Sequence, residues 1–220
     1  MRSLLKFIAP HKTIPVTPWR ADHRWQLSPT RIAILFFGLA IFGFGDSLLV
    51  QGNVGNAPWT VFAQGFSLKT GLPLGVSTFI ISVCVLLMWI PIKERPGFGT
   101  LANIVLIASF IQIGISIVPL QDSFAIGVLF DIVGILLVGI GSALYITCGL
   151  GPGPRDGMMT GLHKATGVRV GRVRLGIEVT VLGIGWLMGG TVGVGTLLFA
   201  ILIGESIAIS LGVVARLTSR

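Results

Sequence analysis

The sequence predicts an all-α membrane protein with six transmembrane helices. These form two inverted three-helix repeats, each with a short re-entrant or interfacial helix. Three observations predict it. The chain is 53% hydrophobic with only 11% charged residues, whereas a soluble domain carries about 25%. Its mean hydropathy is +0.91. Its basic residues fall almost entirely on one side of the apolar runs, and its two halves match without a gap.

Residues 1–30 come first, a basic stretch whose apolar piece, "SLLKFIAP", is too short for a signal-peptide core. They read as a partly flexible cytoplasmic tail. A helix needs about 20 mostly apolar residues to cross a bilayer. Such runs lie at about 32–51, 74–92 and 99–119, giving a first membrane unit over 31–120. They recur at about 124–148, 170–188 and 191–213, giving a second unit over 121–215, and residues 216–220 form a C-terminal tail.

Lys and Arg fix the orientation. Arg2, Lys6, Lys12, Arg20, Arg24 and Arg31 precede span 1, and Lys93 and Arg95 follow span 2. Arg155, Lys164, Arg169, Arg172 and Arg174 follow span 4, and Arg216 and Arg220 follow span 6. With both termini cytoplasmic, all of these lie inside and only Lys69 lies outside. The net charge of +8 is thus a topology signal and an attraction to anionic lipid, not a nucleic-acid footprint. Trp59, Trp89 and Trp186 fall near span ends, where aromatic rings anchor at the interface. Cys84 and Cys148 lie in apolar runs as small core residues, without a disulfide framework.

The repeat appears on shifting the chain by 96 residues, so that 38–111 meets 134–207. Glycines coincide at 38/134, 43/139, 45/141, 55/151, 65/161, 71/167, 75/171, 97/193 and 99/195. Chance would align about two of them, given 10 and 18 glycines in windows of 74. Pro58/Pro154, Thr70/Thr166 and Thr100/Thr196 match as well. Each copy holds three spans, and an odd number makes the second copy enter the membrane from the opposite face. Inverted repeats recur in secondary transporters.

Each first span leads into a Gly/Pro loop, "GNVGNAPWTVFAQGFSLKTG" or "GLGPGPRDGMMTGLHKATG". Pro58 and Pro154 sit where a helix begins, and Gly71 and Gly167 where it ends. Phe62 and Phe66 match Met158 and Leu162 at i,i+4 spacing, an apolar face. Each copy therefore carries a short helix, either dipping into the membrane or lying flat on it. Gly55 and Pro58, with Gly151 and Pro154, are its hinge or packing residues. No G-x-x-x-x-G-K-[ST] run follows a strand, so a nucleotide loop is rejected.

Four acids fall inside spans: Asp46, Asp131, Glu178 and Glu205. Intramembrane ionisable groups mark functional positions. Asp46, Glu178 and Glu205 match Ser142, Ser82 and Ser109, so these positions are polar in both copies, whereas Asp131 matches Leu35. Glu178 and Glu205 are expected to line a central cavity and carry proton coupling or cation contact. Arg174 stands at i−4 from Glu178 and can pair with it. Arg155 and Asp156 are the polar additions of the cytoplasmic loop. Asn53, Asn56 and Thr60 are their outer counterparts.

The run "GLGPGPRDGMMTGLHKATGVRVGRVRLGIEVTVLGIGWLMGGTVGVGTLLFA" resembles the YczE/YyaS/YitT family of bacterial integral membrane proteins. "GPGPRDG", the series Gly167, Gly171, Arg174, Glu178, and "GGTVGVGT" carry most of the resemblance, which covers roughly residues 30–210. It implies a multi-pass protein of the bacterial inner membrane and brings no catalytic residues.

The expectation is a small secondary transporter or permease for a small polar or anionic solute, with proton coupling through the buried acids. The alternative is a non-transporting scaffold or assembly partner, its loops docking surfaces and its acids interhelical glue. An enzyme is not expected. There is no H-E-x-x-H, no paired metal ligands and no nucleophile elbow, and His11, His23 and His163 lie outside the spans. No cofactor or metal is called for. The partners are the lipid bilayer and a small solute, with a homo-oligomer left open.

Overall fold

The computed structural model describes residue 10 and residues 13–218. Arg2, Lys6, His11, Lys12 and Arg220 lie outside the described residues. Among those described, all regular structure is helical. In chain order the helices are α1 (Pro29–Gly52), α2 (Pro58–Thr70), α3 (Leu74–Leu87), the single turn α4 (Trp89–Ile92), α5 (Phe98–Ile117), α6 (Phe124–Thr147), α7 (Pro154–Thr166), α8 (Val170–Leu187) and α9 (Val194–Thr218).

Five helical stretches are long and apolar enough to cross a membrane: α1, α3 continued by α4, α5, α6 and α9. The sixth predicted span, α8, differs for a chemical reason. Its 18 residues carry Arg172, Arg174 and Glu178, which lower its hydropathy below that of the others. The last span also shifts. Gly189, Gly190 and Gly193 precede the α9 N-terminus, so it starts at Val194 rather than about 191. It then runs to Thr218, taking in most of the expected C-terminal tail.

Glycines bring α1 and α6 together at the centre. A Cβ on Gly45 would stand 2.8 Å from the Gly134 carbonyl oxygen, and one on Gly134 would stand 2.6 Å from that of Gly45. Gly38 and Gly141 meet in the same way. Backbones this close gain dispersion contact without a hydrophobic driving force, which lipid does not supply. On the flanks, Gly43 of α1 lies on Ile107 of α5, and Gly139 of α6 lies on Ser206 of α9.

The short helices α2 and α7 have Pro at their starts, and Gly71 and Gly167 in the left-handed conformation at their ends. Gly65 of α2 packs against Gly185 and Met188 around the end of α8. Gly161 of α7 packs against Ile92 of α4. The loop before each helix binds the start of a distant one. The Gly195 N–H donates to the Val54 carbonyl at 2.9 Å, and the Gly99 N–H to the Leu150 carbonyl at 2.8 Å. The Gly65–Met188 and Gly161–Ile92 contacts, and the two N–H bonds, map onto each other by the 96-residue shift.

One pair of seams differs. Gly75 of α3 lies against α5, its N–H donating to Gln112 Oε1 at 3.0 Å. The matching Gly171 of α8 has no atom within 4 Å of a Cβ position, nor has Gly204 of α9. The α3–α5 seam is closed and the α8–α9 seam stands open.

The segment before α1 is not a free tail over residues 13–28. Trp19 and Ala21 join a core cluster with Leu35 and Cys148. Thr17 Oγ1 donates to the Thr147 carbonyl at 3.2 Å. Arg31 donates to the carbonyls of Trp19, Arg20 and Gln26. Arg24 pairs with Glu94 at 3.1 Å, and Lys164 pairs with the same carboxylate at 2.9 Å. Trp19 and Ala21 dock the segment on the core, and the Arg31 guanidinium satisfies its carbonyls, while Ile14, Val16, Trp25 and Leu27 stay exposed.

Candidate functional site

Both short helices aim their first turns at one cavity of about 130 Å³. Ala57, Pro58 and Trp59 line it from α2, and Gly153, Pro154, Arg155 and Asp156 from α7. Its wall is built of residues 96 apart: Phe42 and Val138, Pro58 and Pro154, Trp59 and Arg155, Ser82 and Glu178, Asn103 and Phe199, Ile107 and Ile203.

Arg155 dominates the site. Its guanidinium lies 5.0 Å from the ring centroid of Trp59, a cation–π distance. It has no ion-pair partner within 4.0 Å among the described residues and donates no hydrogen bond to any of them. Asp46 and Asp156 stand near enough to act on its charge. The N–H fork is therefore free towards the cavity, in the planar geometry that suits a carboxylate or phosphate.

Two hydroxyl–carboxylate pairs flank it. Thr60 donates to Asp46, with oxygen distances of 3.0 and 3.1 Å. The Tyr145 hydroxyl donates to Asp156 Oδ2 at 2.5 Å. Positions 60 and 156 match in the two halves, with the acid on the span in one and on the short helix in the other. Asn56 is buried, its Nδ2 donating to Gln64 Oε1 at 3.0 Å. Asn56 Oδ1 and Trp59 Nε1 have no partner. Asn53, the left-handed residue that ends α1, is exposed and outside the cavity.

Arg174 and Glu178 pair along α8 at 2.9 Å and reach the cavity from the open seam. Glu205 does not line this cavity. It is exposed, and with Arg174, Glu178, Phe199 and Gly204 it lines an adjoining pocket of about 220 Å³ between α8 and α9. The reason is the open seam, which turns this part of α9 outward. Gly55 and Gly151, both at positive φ, lie against Thr196 and Thr100 as packing residues of the two loops.

Several residues take roles other than those expected. Trp89 is 1% exposed and donates from Nε1 to the Pro154 carbonyl at 3.0 Å. It fixes the first turn of α7 instead of anchoring at an interface. Trp59 is also buried, under Arg155, and of these three only Trp186 is exposed. Cys148 is buried but Cys84 is exposed. Tyr145 and Asn103 were not foreseen. A lone tyrosine and a lone asparagine inside apolar spans were the available signals, since buried polar groups need partners.

The family model described as a family of unknown function (DUF6198) matches residues 29–211. The chain belongs to this family. It is 43% identical over 206 residues to an uncharacterized protein of Haemophilus influenzae, covering 94% of each chain. It is 36% identical to the uncharacterized membrane protein YczE of Bacillus subtilis, over 82% of this chain and 85% of that one. The similarity to YyaS of Bacillus subtilis is 25% over 81% of this chain and 91% of the relative. No solved structure matches the chain. Similarity to a relative named as a membrane protein, together with the five long apolar helices, supports a multi-pass membrane protein.

Proposed function

We propose that the protein is a small secondary transporter of a small anionic solute, built from two inverted three-helix repeats in the bacterial inner membrane. The basic segments and both termini face the cytoplasm, as the Lys and Arg placement requires. The observation that carries this reading is a cavity walled by repeat-matched residues, with the N-termini of both short helices turned to it. Half-helix N-termini bear partial positive charge and favour anions, and secondary transporters place them at the repeat interface. Trp59 and Arg155, matched and touching, mark the pseudo-two-fold axis. Arg155 supplies the anion contact, and Trp59 holds the guanidinium from behind.

The unequal seams also support it. Closed α3–α5 and open α8–α9 are the two conformations that inverted copies exchange. A scaffold needs the glycine-packed α1–α6 seam but no polar cavity with a free guanidinium.

The test is uptake into proteoliposomes from a panel of inorganic phosphate and small mono- and dicarboxylates. The wild type should accumulate at least one anion. Arg155→Gln should lose uptake, and Arg155→Lys should retain a reduced rate with raised KM. Equal uptake by wild type and Arg155→Gln, or none by the wild type, would refute the reading.

A further inference from the structure

Asp131 lies on α6, outside the cavity, and both its carboxylate oxygens are buried without a hydrogen-bond partner. Glycine backbones enclose it. Oδ1 and the Gly127 carbonyl stand 2.7 and 2.8 Å from where a Gly52 Cβ would be. Oδ2 and the Gly55 carbonyl crowd the corresponding place at Gly195. These neighbours are acceptors, and the Gly195 N–H is already given to Val54. An ionised carboxylate only accepts hydrogen bonds, whereas the neutral acid has one O–H to donate. Two unpartnered carboxyl oxygens beside the Gly127 and Gly55 carbonyls therefore fit the neutral form.

No titratable side chain of the surrounding elements offsets this preference. On α1 the titratable residues are Arg31 and Asp46, and Asp46 is six residues from Gly52, about 9 Å along the axis. On α9, Glu205 is ten residues from Gly195, about 15 Å away. On α6 the other titratable side chain is Tyr145, 14 residues on. Residues 53–57 contain none, and Asp122 precedes α6.

Packing does not require an acid here. The residue 96 positions earlier, Leu35, is fully buried beside Leu150 in the apolar core. The α9 N-terminus next to Gly195 would also support a negative charge once water entered. The site can thus hold the acid in either state, depending on whether the 53–57 loop lies on α9.

We propose that Asp131 is a proton-binding site, carried as the neutral acid while the 53–57 loop packs against Gly195, and releasing its proton to water when that loop parts from α9. As the coupling site it rests on the transport reading. As a buried neutral acid it does not.

Infrared difference spectroscopy of the reconstituted protein at neutral pH tests the first part. The wild type should show a protonated-carboxyl C=O band that Asp131→Asn lacks. The band's absence from the wild type would overturn the proposal. So would a band unchanged in Asp131→Asn, or Na⁺ against choline stabilising the wild type but not Asp131→Asn, which would mark a cation site. Asp131→Leu, copying Leu35, should fold and also lack the band. Uptake with and without a pH gradient tests coupling. A gradient should accelerate the wild type at least tenfold and leave Asp131→Asn unchanged. An Asp131→Asn rate that still follows the gradient would overturn the coupling role. A wild type that takes up nothing would sink the transport reading, and the coupling role with it, while the band alone decides the protonation state.

Discussion

Trp89 and Gly157 form the joint that places Arg155. The indole is 1% exposed and holds the Pro154 carbonyl at 3.0 Å. Gly157, in the same first turn of α7, lies on the ring, so a Cβ there would overlap it. Trp89→Ala should cost about 3–5 kcal/mol from the cavity it leaves, of which the hydrogen bond is about 1 kcal/mol. Gly157→Ala should cost about 1–3 kcal/mol by overpacking. With the indole gone that clash disappears, and the better helix propensity of Ala gives back up to about 1 kcal/mol. Gly157→Ala should therefore be neutral or stabilising in the Trp89→Ala background, a coupling of at least about 1–3 kcal/mol. Thermal unfolding of the four purified proteins in one detergent measures it. Strictly additive effects would refute the joint. Trp89→Phe, which keeps most of the ring, should lose about 1 kcal/mol in the same unfolding assay.

Other expectations follow from the same contacts. Gly75→Ala pushes a methyl onto the Ala108 carbonyl and should destabilise by about 1–3 kcal/mol, while Gly176→Ala meets open space and should be neutral or stabilise by up to about 1 kcal/mol; melting temperatures in the same detergent compare them. Burial raises the Glu94 carboxyl, but the hydrogen bonds and charges of Lys164 and Arg24 outweigh it and hold the group below its usual 4.5. A depressed carboxyl stabilises above that value and loses the contribution as pH falls further. Glu94→Gln should thus cost about 1 kcal/mol near neutrality and flatten the fall in stability below about pH 4.5, read from melting temperature against pH. Arg31→Met removes three charge-assisted bonds to the loop carbonyls and should cost about 1.5–3 kcal/mol. It should also expose residues 13–28 to limited proteolysis, where unchanged cleavage kinetics would count against the docked segment.

Much of the helical frame was legible because its causes are local. Apolar run length sets a span, Pro58 and Pro154 start short helices, and Gly71 and Gly167 end them. These depend on backbone conformations that neighbouring residues fix. Residues 59 and 155 are 96 apart, and Trp59 and Arg155 meet in the cavity, a contact that the alignment alone did not state. Glu205 shows the limit. Its helix was legible, but the face it presents depends on whether α8 and α9 close, which no local pattern encodes. Trp89 was equally opaque, since a tryptophan at a span end can meet lipid headgroups or the turn of another helix.

By itself the sequence determined the membrane class and the ends of most helices, because hydropathy and capping are written residue by residue. The tertiary structure alone decided which polar groups meet. It put Arg155 over Trp59 with its donors free, left Asp131 among glycine carbonyls, and turned Glu205 outward. Those outcomes depend on how closely backbones approach across the bundle, and that distance is a property of packed helices, not of any one segment.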